Sequence, residues 1–500
     1  MSSIVQSRMQ ARAQSALSVP QSEELELALP SVSVISYSGP GGVGGVPASL
    51  APMVKRLNTR VNWYALTEQP QADFTPPSEG NGRLSVKQQK AQSPTYFGFS
   101  FHKPTLPERL MDGHRRFCQS YLSPLLHGFP ERAIFDQEDW KSFKHLNELM
   151  ASHCLIANSD SYPSLFWLHD YQLSLASMLI GSQAGILLSQ FWHVPFPSAK
   201  IITAYPCGKE LVEALLQNRL VGFHTKDYAE NFMDAAQFFY PELEVDRLAM
   251  TLISERGKRT KLSVMPLGID VPYWQNLARI SKPYSEALAF KHDLAPQVIL
   301  GVDRLESNKG ILERLQGLKH LLSNKPEWHK RFHFVQIAQE VKEPSGELKE
   351  YTEAVERKIA IINNEFAKEN WSPIIYIKGS LNHEELAAWY QKASVLSVNS
   401  TADGLNLVAK EFVAAREDEQ GALVLSKNAG VSRELSHGAY LVDPNDAAGL
   451  SSQLFNALTA DAEENHRRML SLRHAIGWNQ LHSWAQGFLR ETLTTEENKF

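Results

Sequence analysis

Two cations five residues apart, Arg304 and Lys309, stand in the run GVDRLESNKGILERL (301–315), where an apolar stretch gives way to a helical pattern. Backbone N–H groups at a helix start favour anions, and an Arg fork beside a Lys point charge suits a diphosphate. Pairs of solvated surface cations share this spacing, so the pair alone decides nothing. A second helix start follows in NSTADGLNLVAKEF (399–412). Here Gly404 is expected to supply an unusual turn, after which Leu405 to Val408 open a helix. Glu411 falls beside the apolar stripe Leu407, Val408, Phe412 and Ala415, where a carboxylate needs a partner. That partner is either a ribose, which offers two hydroxyls to the acid of dinucleotide folds, or an Arg.

The first half of the chain carries its own polar strand ends. WLHDYQL (167–173) and HVPFPSA (193–199) each close an apolar run. Pro195 and Pro197 stop the second run and fix the loop that bears His193, a residue type that is also common as a purely structural strand-end group. Gly39 to Gly45 (GPGGVGG) form a loop whose bare backbone suits a close ligand or simple flexibility. It is not a GxGxxG fingerprint.

These groups need a scaffold. Apolar runs at 32–38, 60–66, 164–170, 185–194, 219–225 and 261–267 read as strands, and a second series reads at 297–303, 333–338, 373–378, 395–399, 422–426 and 439–442. Helical patterns intervene, including 48–57, 310–323 and 383–394, so the reading is α/β, with two doubly wound domains facing a cleft. The expected division is a flexible tail over 1–29, a first domain over 30–275, a second over 276–475 and a closing helix within 476–500. That helix, 478–493, is expected to pack back on the first domain with Trp478, Leu481, Trp484 and Phe488 on one face. The segment 69–94 has no apolar periodicity and reads as a surface insertion bordering the cleft.

Composition narrows the partners. The 500 residues carry a formal charge of −5 with Lys and Arg scattered, which argues against nucleic acid and anionic membrane. No run of about 18 apolar residues suggests a membrane span. Cys118, Cys154 and Cys207 show neither metal-ligand spacing nor a disulfide pattern and read as buried thiols of a cytoplasmic protein. No metal site and no cofactor is expected.

Taken in order, WLHDYQL, HVPFPSA, LVGFHT, MPLGID, GVDRLESNKGILERL, VQIA and DGLNLVAKEFVAA resemble the trehalose-6-phosphate synthase family, glycosyltransferase family 20, over about 32–490. That family also holds glucosylglycerol-phosphate synthases and a pseudo-glycosyltransferase of aminocyclitol biosynthesis. The resemblance implies a GT-B fold and metal-independent transfer of glucose from a nucleotide sugar to a phosphorylated acceptor, with retention at the anomeric carbon. By the same resemblance Arg304 and Lys309 stabilise the leaving diphosphate, Leu407 and Val408 offer it their N–H groups, and Glu411 holds the ribose. Asp403 and His193 contact the transferred sugar, while Gly44, Gly45, Leu381, Gly404, Leu405 and Asn406 complete the donor side. On the acceptor side Asp170 matches a family carboxylate, and Lys342 stands where the family has an Arg. Ser38, His114 and Ser123 replace an Arg, a Tyr and a Trp. These changes favour glycerol 3-phosphate as acceptor, with glucose 6-phosphate as the other choice. The NSTADG run (399–404) keeps a cyclitol-type donor open, and a non-catalytic sugar-phosphate-binding regulator is a further class. A compatible-solute role, a separate phosphatase for the product and a homo-oligomer are the remaining expectations.

Overall fold

The computed structural model describes residues 30–40, 45–57, 59–67, 95–96, 99–158, 164–339, 346–478 and 480–495. The expected tail, the 69–94 insertion, Gly44 and Lys342 lie outside them. Among the described residues no helix is long and apolar enough to cross a membrane.

The first sheet has ten strands: β1 (Ser31–Ser38), β2 (Val61–Thr67), β3 (Thr95–Tyr96), β4 (Phe99–His102), β5 (Ser164–His169), β6 (Ile186–Phe191), β7 (Leu220–Phe223), β8 (Glu244–Asp246), β9 (Thr251–Ile253) and β10 (Arg259–Val264). Their order is β3-β4-β2-β1-β5-β6-β7-β10-β9-β8. The six expected strands form the parallel body together with β4. The short strands β3, β8 and β9 pair antiparallel at the two edges, where brief runs leave little period to read. Strands β5 and β7 are buried throughout, as helices covering both faces require.

The second sheet is wholly parallel: β11 (Gln297–Arg304), β12 (Phe332–Gln339), β13 (Ile374–Lys378), β14 (Val395–Val398), β15 (Ala422–Ser426) and β16 (Tyr440–Val442), in the order β13-β12-β11-β14-β15-β16. Strand order therefore reverses between β11 and β14 here, and between β1 and β5 in the first sheet. Each reversal opens a crevice at the carboxyl ends of the two central strands, where doubly wound folds bind ligands.

One buried apolar cluster joins the sheets, running from Val32 and Trp63 through Leu267, Ile269, Trp274 and Leu277 to Leu300 and Leu396. The closing helix spans Leu481–Thr494. It lies on the first sheet, with Trp484 and Phe488 5.7 and 5.6 Å from the Trp167 ring and Trp484 Nε1 donating to the Met265 carbonyl at 2.9 Å. Trp478 is not on its face. It ends the preceding helix Ala462–Trp478, stands 81% exposed, and donates its Nε1–H to His474. Because Trp478 ends one helix and Leu481 starts the next, Trp478 does not share the face that a continuous helical period would include.

Candidate active site at the paired switch points

At the second reversal the chain leaves β11 through a single turn, Ser307–Lys309, and Gly310 at φ 64° before the helix Ile311–Asn324 begins. A Cβ on Gly310 would sit 2.0 Å from the Asn399 carbonyl oxygen, so the loops after β11 and β14 pack backbone to backbone. Thr401 donates its N–H to the Asn308 carbonyl at 2.8 Å, which holds the loops in register. The result brings together Lys309 and Asp403, separated by 94 residues in sequence: Nζ lies 2.7 Å from Oδ2, both side chains nearly buried. The same oxygen accepts from Ser400 Oγ and Asn406 Nδ2, each at 3.1 Å. Burial alone would raise the Asp403 pKa, but the Lys309 charge and these bonds outweigh it and hold it at about 2. Asp403 is thus a permanent carboxylate that fixes Lys309. Lys309 keeps further ammonium hydrogens for a ligand. Arg304 differs, being 58% exposed and paired with Glu306 at 2.9 Å.

The helix Leu407–Ala415 starts beside this pair, with Asn406 as its cap: Asn406 Oδ1 accepts the Ala409 N–H at 3.1 Å. Leu407 and Val408 are the first two residues of the helix, so their N–H groups have no intrahelical acceptor and are free for an anion. The unusual turn belongs to Asn406, at φ 89°, and not to Gly404. Gly404 serves another purpose. A Cβ there would lie 2.0 Å from the His193 carbonyl oxygen and 2.9 Å from Val194 Cα. Glycine is needed because the loop after β14 touches the first sheet's strand-end loop backbone to backbone. Leu405 is buried, and Leu381, half-buried, precedes the helix His383–Lys392.

Glu411, four residues after Leu407, has no Arg hydrogen-bonded to it among the described residues. The partner is a tyrosine: Tyr390 Oη donates to Glu411 Oε2 at 2.8 Å. Burial raises the carboxyl to about 7 against the lowering effect of that bond.

Across the cleft, Asp170 follows β5 in the left-handed region at φ 66°, a conformation Asp tolerates better than most residues. Its Oδ1 accepts the His193 N–H and its Oδ2 accepts from Gln172, both at 3.2 Å, yet burial still raises its pKa to about 6. His193 is buried, its Nε2 3.0 Å from His169 Nδ1, and burial lowers its pKa to about 3. Its Nδ1 is buried with no hydrogen-bond partner among the described residues. Ser38 closes β1, its Oγ taking a bond from Thr67 at 3.3 Å. Ser123 opens a short helix, and its carbonyl accepts from His127 Nδ1 at 2.7 Å. His114 is fully buried. Its ring stacks on Tyr37 and Phe143, its Nε2 engages the Gln172 carbonyl at 2.9 Å, and burial lowers its pKa to about 4. In this arrangement His114 supports the Asp170 loop from behind and offers a ligand no face. Gly45 begins the helix Gly45–Val54.

Several participants escape a reading by motif. Tyr228 of the first domain donates to the Asp403 carbonyl at 3.1 Å, and Asn308 bridges the loops after β11 and β14 through Ala402. His169 and Tyr390 each hold a named site residue. Only His169 had a signal, as a neighbour of Asp170; the others become visible only when distant strand ends meet.

The sequence pattern of Glycosyltransferase family 20 matches residues 46–493. The chain is 30% identical, over 79% of its length, to the bifunctional trehalose-6-phosphate synthase/phosphatase of Thermoproteus tenax, and it spans about half (53%) of that longer protein. It is 31% identical to the glucosylglycerol-phosphate synthase of a Synechocystis species, covering 78% of this chain and 81% of that one. Among solved structures, the alpha,alpha-trehalose-phosphate synthase (UDP-forming) of Burkholderia xenovorans in complex with glucose-6-phosphate superposes with a TM-score of 0.81 at 26% identity, covering 93% of this chain and 100% of that one. The fold is thus the two-domain GT-B arrangement, and the chain belongs to glycosyltransferase family 20.

Proposed function

We propose that the protein is a retaining glycosyltransferase that moves glucose from a nucleoside-diphosphate glucose to glycerol 3-phosphate or glucose 6-phosphate. The observation that carries this reading is the contact of Gly404 with His193, which sets the cationic end of one switch point against the Asp170 end of the other. As the glycosidic bond breaks, the diphosphate gains negative charge. Lys309, held by Asp403, the N–H groups of Leu407 and Val408 at their helix start, and Arg304 at the end of β11 would meet that charge, and such preorganisation acts on the transition state. Asp170 retains acceptor capacity on both oxygens for the hydroxyls of the incoming substrate. The leaving phosphate oxygen can itself take the acceptor's proton, so no side chain is assigned as base and no metal or cofactor is invoked.

The replaced acceptor positions, Ser38 and Ser123, favour glycerol 3-phosphate, since a small acceptor needs neither a phosphate-binding Arg at that place nor a ring to stack on. The test supplies UDP-, ADP- and GDP-glucose with each acceptor and measures nucleoside diphosphate release. Release is expected only with both substrates present, and Arg304→Ala removes it. The double change Ser38→Arg with Ser123→Trp is expected to shift preference toward glucose 6-phosphate. Failure of every pair to turn over refutes the reading.

A further inference from the structure

Glu411 and Tyr390 come from different helices, Leu407–Ala415 and His383–Lys392. Tyr390 is 0% exposed, its ring 5.7 Å from Trp274 and edge-on to Phe412 at 6.2 Å, so it has no freedom to turn away. Its backbone is pinned as well, since Arg416 Nη1 donates to the Tyr390 carbonyl at 3.2 Å. The tyrosine hydroxyl has one proton and directs it to Oε2 of Glu411 at 2.8 Å. That leaves Oε1 without a hydrogen bond to any described residue, and one lone pair remains on Oε2. A glutamate otherwise rotates about three side-chain bonds and loses that freedom on binding a ligand. Here the rotation is already stopped by a group on a rigid neighbour, with two acceptor sites left in a fixed plane. Two acceptors held that way match the two adjacent hydroxyls of a ribose, and nothing about the nucleobase or the sugar being transferred.

We propose that Tyr390 is a positioning residue for ribose recognition, orienting the Glu411 carboxylate so that the donor site discriminates ribonucleotides from nucleotides lacking the 2′ and 3′ hydroxyls. The inference rests on the donor-site reading given above. It assigns Tyr390 no contact with substrate; its effect passes through Glu411.

The experiment measures equilibrium binding of uridine, adenosine and guanosine diphosphates, and of their 2′,3′-dideoxy counterparts, to the full chain and to Tyr390→Phe. For the base that binds best, wild type is expected to prefer the ribonucleotide by about 10- to 100-fold, the range of a hydrogen-bonded charged group. Tyr390→Phe should shrink that ratio by about 3- to 10-fold and leave the dideoxy affinity within about twofold. In a Glu411→Ala background the same change should not alter the ratio further, because the side chain that Tyr390 orients is gone. A merely structural tyrosine would weaken both nucleotides equally, and that outcome, or an unchanged ratio, overturns the proposal. If wild type binds none of the six nucleotides, the donor-site reading itself fails, a result distinct from an altered ratio.

Discussion

Glu411→Gln should make the empty protein more stable at alkaline pH while impairing its hold on nucleotide. The carboxyl has an ordinary value of 4.5 and is raised by burial to about 7 in the folded chain. The folded state therefore keeps its proton over a range where the unfolded chain has released it. Stability from this group is intact below about pH 4.5, is lost progressively as pH rises toward about 7, and is constant beyond. At about 1.36 kcal/mol per pH unit the whole loss is about 3 kcal/mol, trimmed to about 2–3 because the side chain is only partly shielded from solvent. Glutamine has the same shape, still accepts the Tyr390 hydroxyl proton, and carries no charge to desolvate. Urea denaturation midpoints taken every half unit from pH 5 to 8.5 should show wild type weakening through that window relative to the variant. Nucleoside diphosphate affinity should run the other way: wild type gains affinity as Glu411 ionises near pH 7, while the glutamine variant stays weak and flat. A variant no more stable than wild type at pH 8 would refute the reasoning, since it would mean that the ionised carboxylate is not held at a cost in the empty site.

The two cations proposed to hold the diphosphate, Arg304 and Lys309, should separate in stability although both are expected to matter for turnover. Lys309→Met strands the nearly buried Asp403 and should cost about 3–5 kcal/mol, whereas Arg304→Met, at an exposed site, should change stability by about 0.5 kcal/mol or less. Each is expected to lower kcat by roughly 10²–10³, and Asp403→Asn added to Lys309→Met should restore stability without restoring rate; denaturation and steady-state assays on the three variants check this. Gly404→Ala places a Cβ 2.0 Å from the His193 carbonyl, so the loops must part and kcat/KM should collapse, while Gly477→Ala, which meets open space, leaves kcat/KM unchanged.

The parallel strands are legible because a strand buried on both faces reads as a mostly apolar run without polar alternation, as β5, β7, β14 and β15 do. The antiparallel edges are not, because β3, β8 and β9 are two or three residues long and carry almost no period. Lys309 and Asp403 were each visible as strand-end groups, but their ion pair was not, since it depends on the adjacency of β11 and β14 and not on sequence spacing. His114 shows the opposite failure. Alignment by motif placed it in the acceptor region, yet the packing of Tyr37 and Phe143 on its two faces makes it a fully buried support.

Gly404 carries the sharpest form of this difference. Read along the chain, a glycine between Asp403 and Leu405 implies a turn that only glycine can make, and the neighbouring helix start makes that reading natural. In the folded protein the positive φ falls two residues later, on Asn406, whose side chain also caps the helix and braces Asp403. Gly404 is instead required by a partner more than 200 residues away, the backbone at His193, which no local rule contains. A second contact follows the same path, from Tyr228 to the Asp403 carbonyl at 3.1 Å. The loop after β14 is therefore shaped from two directions: its own helix start exposes the N–H groups proposed to bind the diphosphate, and the first domain packs against it at Gly404 and Asp403. Loss of the Tyr228 hydroxyl is therefore expected to act on the Asp403 loop from the first domain, which is why the two halves must be read as one site.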